Sequence, residues 1–146
     1  METRSLDELP GWARELLEHS PVARLGLLDA DDRPRVLPVT YALRDGAFWS
    51  AIDQKPKRTG EPARVRYLRR RPEAALTVDR YSDDWSDLAW VQVLGRVELL
   101  AVADAPQAIA ALAAKYDPYA GKSPPGPLLR LAPARFLCWR AADPPL

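Results

Sequence analysis

The chain has 146 residues, enough for a single domain (1–146) with its own core, and its 47% apolar content is ordinary for a globular protein. With 21 basic residues against 20 acidic ones the net charge is +1, so nucleic acid is not an expected partner and any anion site must be local. No run is long and apolar enough to span a bilayer or act as a secretory signal, so a cytoplasmic protein with no membrane partner is expected; Cys138, the single cysteine, can form no internal disulfide.

Ser5-Leu-Asp-Glu8 fits a capping box, and Leu9, Trp12, Leu16 and Leu17 recur at helical spacing. They predict a helix over residues 6–18 with its Trp12 face on a sheet. His19, the sole histidine, stands at the end of that helix, where an imidazole meets the last carbonyls; a capping role outweighs a catalytic one. Residues 22–28 read as a short strand, 29–34 as a polar turn, and 36–43 as a second strand. Asp45-Gly46 then tolerates the positive φ of a tight hairpin into a third strand, 47–53. The three strands are expected to pair in order as a meander. Pro38 cannot donate a ladder bond, so it marks an edge or a bulge, where a ligand can meet unpaired backbone.

The third strand runs into Gln54-Lys55-Pro56-Lys57-Arg58-Thr59-Gly60, which gathers three cations and a hydroxyl. A short helix bounded by Pro62 and Pro72 follows at once, and its N-terminus adds N–H donors and partial positive charge. Loop and helix start together read as a phosphate cradle. Arg69, Arg70 and Arg71, near the helix C-terminus, read as a solvated end favoured by the macrodipole.

Residues 74–80 form a further strand, and the acidic loop 81–88 has no calcium-loop pattern. The longest strand, 89–100, puts Val91, Val93, Gly95, Val97 and Leu99 on one face and Trp90, Gln92, Leu94, Arg96 and Glu98 on the other. The second face suits an interface or ligand wall, where Gln92 can bond a heterocycle edge and Trp90 can stack. Gly95 marks a bulge or a close backbone approach. Asp104 is expected to cap a helix running to about Tyr116 with Ile109, Leu112 and Ala113 buried. A proline-rich stretch, 117–127, reads as either a lid or a connector, and 135–140 as the closing strand.

This is a mainly β pattern with flanking helices (α+β) and six or more antiparallel strands. It holds no Ser/His/Asp or Cys/His constellation, no metal-ligand cluster, no P-loop and no dinucleotide fingerprint. No catalytic side chain or metal ligand is assigned. Either a bound cofactor carries the chemistry, or the protein binds a small molecule without turning it over.

The order of elements, with Arg35-Val-Leu-Pro-Val-Thr40, the Trp49-Ser-Ala-Ile-Asp53 strand leading to Lys55, Lys57 and Arg58, and Val91-Gln-Val-Leu-Gly-Arg96, resembles the pyridoxamine 5′-phosphate oxidase-like split β-barrel superfamily. More narrowly it resembles the actinobacterial branch of coenzyme F420-dependent enzymes. The resemblance implies an FMN-binding-protein-like split β-barrel and a homodimer with cofactor sites between the subunits. It further implies that Arg35, Val36, Leu37, Pro38, Val39 and Thr40 line the ring, with Ser50 and Ala51 beside ring and tail. Lys57, with Lys55 and Arg58, would bind phosphate, and Gln92 with Trp90 would reach over from the second subunit. The implied activity is hydride transfer from reduced F420, a deazaflavin, to a small conjugated acceptor; Arg64 and Arg66 would extend the groove for its anionic tail. FMN is the alternative cofactor, and a non-catalytic carrier the alternative role. Residues 135–146 lack the histidine expected of a true pyridoxamine phosphate oxidase, so vitamin oxidation is not expected.

Overall fold

A computed structural model describes residues 1–52 and 60–143. Its frame is an eight-stranded antiparallel sheet. In chain order the elements are β1 (Glu2–Thr3), α1 (Gly11–His19), β2 (Ala23–Leu28), β3 (Pro34–Val39), β4 (Ala42–Arg44) and β5 (Ala47–Ser50). They continue with α2 (Ala63–Arg70), β6 (Glu73–Arg80), β7 (Ala89–Leu100), α3 (Pro106–Lys115) and β8 (Leu128–Arg140). The strands lie in the order β3-β2-β6-β7-β8-β5-β4, with β1 added to β8.

That order forces the sheet to curl. β3 and β4 are its opposite ends, yet only Thr40 and Tyr41 separate them in the chain. Three Cα–Cα steps span at most about 11 Å. The two edges must therefore lie side by side, and because β3 and β4 form no ladder with each other, the result is a barrel split along one seam. The expected meander is corrected here: the predicted 36–43 strand breaks at Thr40–Tyr41, and its halves pair with different neighbours, β3 with β2 and β4 with β5. A period-2 pattern does not reveal such a break, because Val39 and Tyr41 are both buried.

Alternation fills the barrel. Leu25 and Leu27 from β2, Leu76 and Val78 from β6, Val91, Val93 and Val97 from β7, and Leu131, Phe136 and Cys138 from β8 point inward. α1 joins this core through Ala13 and Leu17, and α2 through Val65 and Leu68. A second cluster sets Ala105, Ala108 and Leu112 of α3 and its approach against Ala42, Ala47, Trp49 and Ala51. All four residues of β5 are therefore buried, with a core on each face. No helix among the described residues is long and apolar enough to cross a membrane.

Three further expectations shift. The 6–18 helix is a 3₁₀ turn, Leu6–Glu8, and then α1, because Pro10 holds Leu9 extended at ψ 144°. Ser5 accepts from the Asp7 N–H, but Glu8 reaches the Arg4 N–H, not that of Ser5, so the capping box is only half made. At the other end the Ser20 hydroxyl, not His19, bonds the Leu16 carbonyl at 2.6 Å. Asp104 does not cap α3: it belongs to a 3₁₀ turn, Pro106 starts the helix, and the buried stripe turns to Ala108 and Leu112.

The closing strand begins seven residues earlier than predicted, at Leu128. Pro133 looked like a stop, but it sits at a bulge, where Leu94 faces Arg135 while Gly95 faces Pro133 and Ala134 is the extra residue. Gly95 was expected to mark a bulge or close approach, and it does both: a Cβ there would lie 2.1 Å from the Ala132 carbonyl oxygen. Backbone cannot yield to that contact. Gly95→Ala is expected to cost about 2–3 kcal/mol in urea unfolding, as overpacking against fixed structure does.

Candidate functional site

Where the barrel lacks a ladder, side chains close it. The Ser50 hydroxyl donates to the Thr40 carbonyl at 2.7 Å across the seam. The Tyr116 hydroxyl, just past α3, accepts from the Tyr41 N–H at 3.1 Å and has one proton to share between the Pro21 carbonyl at 2.8 Å and the Tyr41 carbonyl at 3.0 Å. Tyr119 places its hydroxyl 3.3 Å from the Thr40 hydroxyl, so the start of the 117–127 stretch is tied to the seam. The Tyr41 hydroxyl donates to the Leu17 carbonyl at the end of α1, and burial pushes its ionisation well above the usual phenol range. Over the Tyr41 ring, 3.9 Å from its centroid, lies the ammonium of Lys115.

Beside this joint a cleft opens, lined by Val22, Pro38, Val39, Thr40, Ser50, Ala51 and Arg64. The described residues give it about 150 Å³, below the ~300 Å³ at which pockets begin to enclose a drug-sized ligand. Pro38, Val39, Val22 and Ala51 supply an apolar wall. Pro38 can sit in β3 without losing a ladder bond because β3 is a sheet edge.

Arg64 supplies the charge, and a division among the arginines explains why. Arg69 pairs with Glu61, Arg70 and Arg71 pair with Asp32 in the β2–β3 turn, and Arg66 donates to the Glu61 carbonyl at 2.8 Å. These pairs hold the Glu61 and Asp32 carboxyls below the ordinary carboxylate range through hydrogen bonds from Arg69 and Arg70 respectively. Arg64 forms no ion pair among the described residues and is half-buried at the cleft. It lies in the first turn of α2, whose Ala63 and Arg64 N–H groups have no acceptor inside the helix. A guanidinium beside an apolar wall can hold a flat molecule with an anionic arm. None of the cleft-lining side chains is an ordinary acid–base group, and Ser50 already spends its proton on Thr40.

Of the sequence-predicted residues, Pro38, Val39, Thr40, Ser50 and Ala51 meet in this cleft. Arg35, Val36 and Leu37 lie further back along β3, outside the lining; Val36 is 71% exposed and Arg35 stands 4.0 Å from Asp29. Trp90 and Gln92 are on the outer face of β7, opposite Trp139 and Leu137 of β8, and do not line the cleft of their own protomer. Lys55, Lys57 and Arg58 lie outside the described residues. Val22 was missed, having been read only as a strand residue. Its place beside the seam follows from the pairing of Ala23 with Val39, which no local pattern reveals.

The structure is a split barrel whose seam holds a cleft lined by apolar side chains, two hydroxyls and the guanidinium of Arg64. The chain belongs to the pyridoxamine 5′-phosphate oxidase family, whose model matches residues 9–140. Among solved structures it is similar to a conserved hypothetical protein from Mycobacterium tuberculosis, with TM-score 0.72 and 17% identity over 95% of this chain and 90% of that one. It is similar to a FAD-binding protein from Mesorhizobium loti, with TM-score 0.66 and 20% identity over 89% and 94% of the two chains. It is also similar to an F420 reductase, with TM-score 0.64 and 18% identity over 88% and 98%. At these identities the likenesses establish the fold. No curated protein sequence matches significantly.

Removing the Tyr116 hydroxyl tests the joint. Tyr116→Phe leaves the Tyr41 N–H without its acceptor and is expected to cost about 1–3 kcal/mol in chemical unfolding, the usual penalty for stranding a buried donor.

Proposed function

We propose that this protein is a homodimeric, coenzyme F420-dependent oxidoreductase that reduces a small conjugated organic acceptor. The observation that carries the reading is the seam cleft. Pro38 and Val39 supply apolar surface in the same cleft as Arg64, and Ala51 of its lining comes shortly before Lys55, Lys57 and Arg58 in the chain. The cofactor makes two demands: a flat ring needs an apolar face, which Pro38 and Val39 supply, and a polyanionic tail needs several cations, of which Arg64 is one. When bound, the reduced deazaflavin supplies a hydride, and a proton from solvent completes the reduction of the acceptor. The protein's part is to bind, orient and exclude water: Ser50 and Tyr116 hold the Thr40–Tyr41 link, Pro38 and Val39 would back the ring, and Arg64 would help neutralise the tail, a role in which the family resemblance also puts Lys57.

The dimer is supported by the outer face of β6, β7 and β8. Ala75, Thr77, Gln92, Leu94 and Leu137 make a largely apolar surface there, edged by Trp90 and Trp139 at 36% and 46% exposure. A second copy seated on this face would carry Gln92 and Trp90 toward the first copy's cleft and enlarge the small volume one chain provides.

The test is parallel fluorescence titration of cofactor-free protein with oxidised F420 and with FMN. Tighter binding of F420, followed by oxidation of its reduced form in an acceptor screen, is the expected outcome. Preference for FMN would move the chemistry to flavin, and binding of F420 without turnover of any acceptor would leave a carrier. Arg64→Ala and Lys57→Ala are each expected to weaken binding roughly 10- to 100-fold with circular dichroism unchanged, as loss of a charge-assisted contact does. Sedimentation should give a dimer, and Leu94→Arg, placed in the outer face, should shift it toward monomer.

A further inference from the structure

Lys115 is a costly residue that packing does not explain. Its Nζ is shut off from solvent and, among the described residues, has no hydrogen-bond partner. What it faces is aromatic: the Tyr41 ring at 3.9 Å and the Tyr116 ring at 5.4 Å. Methionine would fill similar volume without desolvating a charge. The side chain lies where three parts of the seam meet. Tyr41 holds α1 through the Leu17 carbonyl, Tyr116 holds the Tyr41 backbone, and Thr40, next in the chain, lines the cleft.

We propose that Lys115 is a positioning residue for the seam cleft: its ammonium, held over Tyr41, fixes the Thr40–Tyr41 link and makes the cleft's affinity for an anionic cofactor depend on that proton. The ring attracts the ammonium through its quadrupole, and a neutral amine loses that attraction. Burial pulls Lys115 down to about 8, with Glu18 at the end of α1 partly opposing through space. The other titratable groups that face it are the phenols of Tyr41 and Tyr116, both raised by burial. The anionic ligand is the one named under the proposed function, and to that extent the inference rests on it.

Two pH slopes of opposite sign follow. The proton leaves Lys115 near pH 8 in the folded state and near its ordinary 10.5 in the unfolded chain. Between those values the unfolded chain binds more protons, so stability without cofactor rises with pH. Cofactor affinity falls over the same rise, because the cation–π hold is being lost. A buried lysine that merely filled space would give the stability slope, but not the affinity slope.

The experiment titrates the protein with F420 and FMN from pH 7.5 to 9.5. Wild type is expected to weaken roughly fivefold across this range, Lys115→Met to be pH-independent at the weaker value, and Lys115→Arg to be pH-independent at the tighter one. His19→Gln should keep the wild-type slope. A Lys115→Met profile that parallels wild type overturns the proposal. If neither cofactor binds wild type at pH 7.5, the proposed function fails, and the positioning role is decided without ligand by tyrosine ring carbon NMR. A Tyr41 shift with midpoint near pH 8, present in wild type and absent in Lys115→Met, supports it; a Tyr41 signal that ignores pH overturns it.

Discussion

A two-residue link sets the architecture. Thr40 and Tyr41 join strands that lie at opposite ends of the sheet, so the sheet has to roll until its edges meet. The link is too short to permit an open sheet, and the two edges do not pair, so the barrel remains split. The other features of the site depend on this. Edge backbone is left without a ladder, Tyr116 just past α3 and Ser50 of β5 staple the joint, and the space beside it becomes the cleft.

The molecule closes that seam with hydroxyls and rings instead of a β-ladder. A ladder would bury the edge of β3 and leave no room for a ligand; Ser50, Tyr116 and Tyr119 hold the link at single points and leave Pro38 and Val39 facing the cleft. The charge distribution follows the same division. Arg70 and Arg71, away from the cleft, are tied to Asp32 and fasten α2 to the β2–β3 turn, and surface pairs of this kind contribute little stability each. Arg64, at the cleft, has no such tie among the described residues. Lys115 stands behind the link with its ammonium buried over the Tyr41 ring and without a hydrogen-bond partner among the described residues.

Much of the barrel was legible because its inward faces obey a period of two: β2, β6 and β7 appear almost at their predicted bounds, with Val91 and Val93 fully buried. Gly95 was legible as a special position because a missing side chain in a strand implies close backbone. The errors have local causes. Pro10 and Pro106 reset helix starts that spacing alone placed elsewhere, and Pro133 concealed the first half of β8 because a bulge can accept a proline that a regular ladder rejects.

The sequence by itself determined the mainly β class, the inward faces, the hairpin at Asp45-Gly46, and the five cleft residues Pro38, Val39, Thr40, Ser50 and Ala51, the last through a family resemblance carried on short motifs. These features depend on side-chain chemistry over a few neighbouring positions, which a linear string records. Only the tertiary structure decided that β3 and β4 part company, that Val22 joins the cleft, that Arg64 alone among its neighbouring arginines faces it without a carboxylate partner among the described residues, and that Lys115 ends over Tyr41. Each of those follows from pairings between residues well separated in the chain, fixed by barrel closure and by which partner reaches a charge first, and no local pattern encodes either.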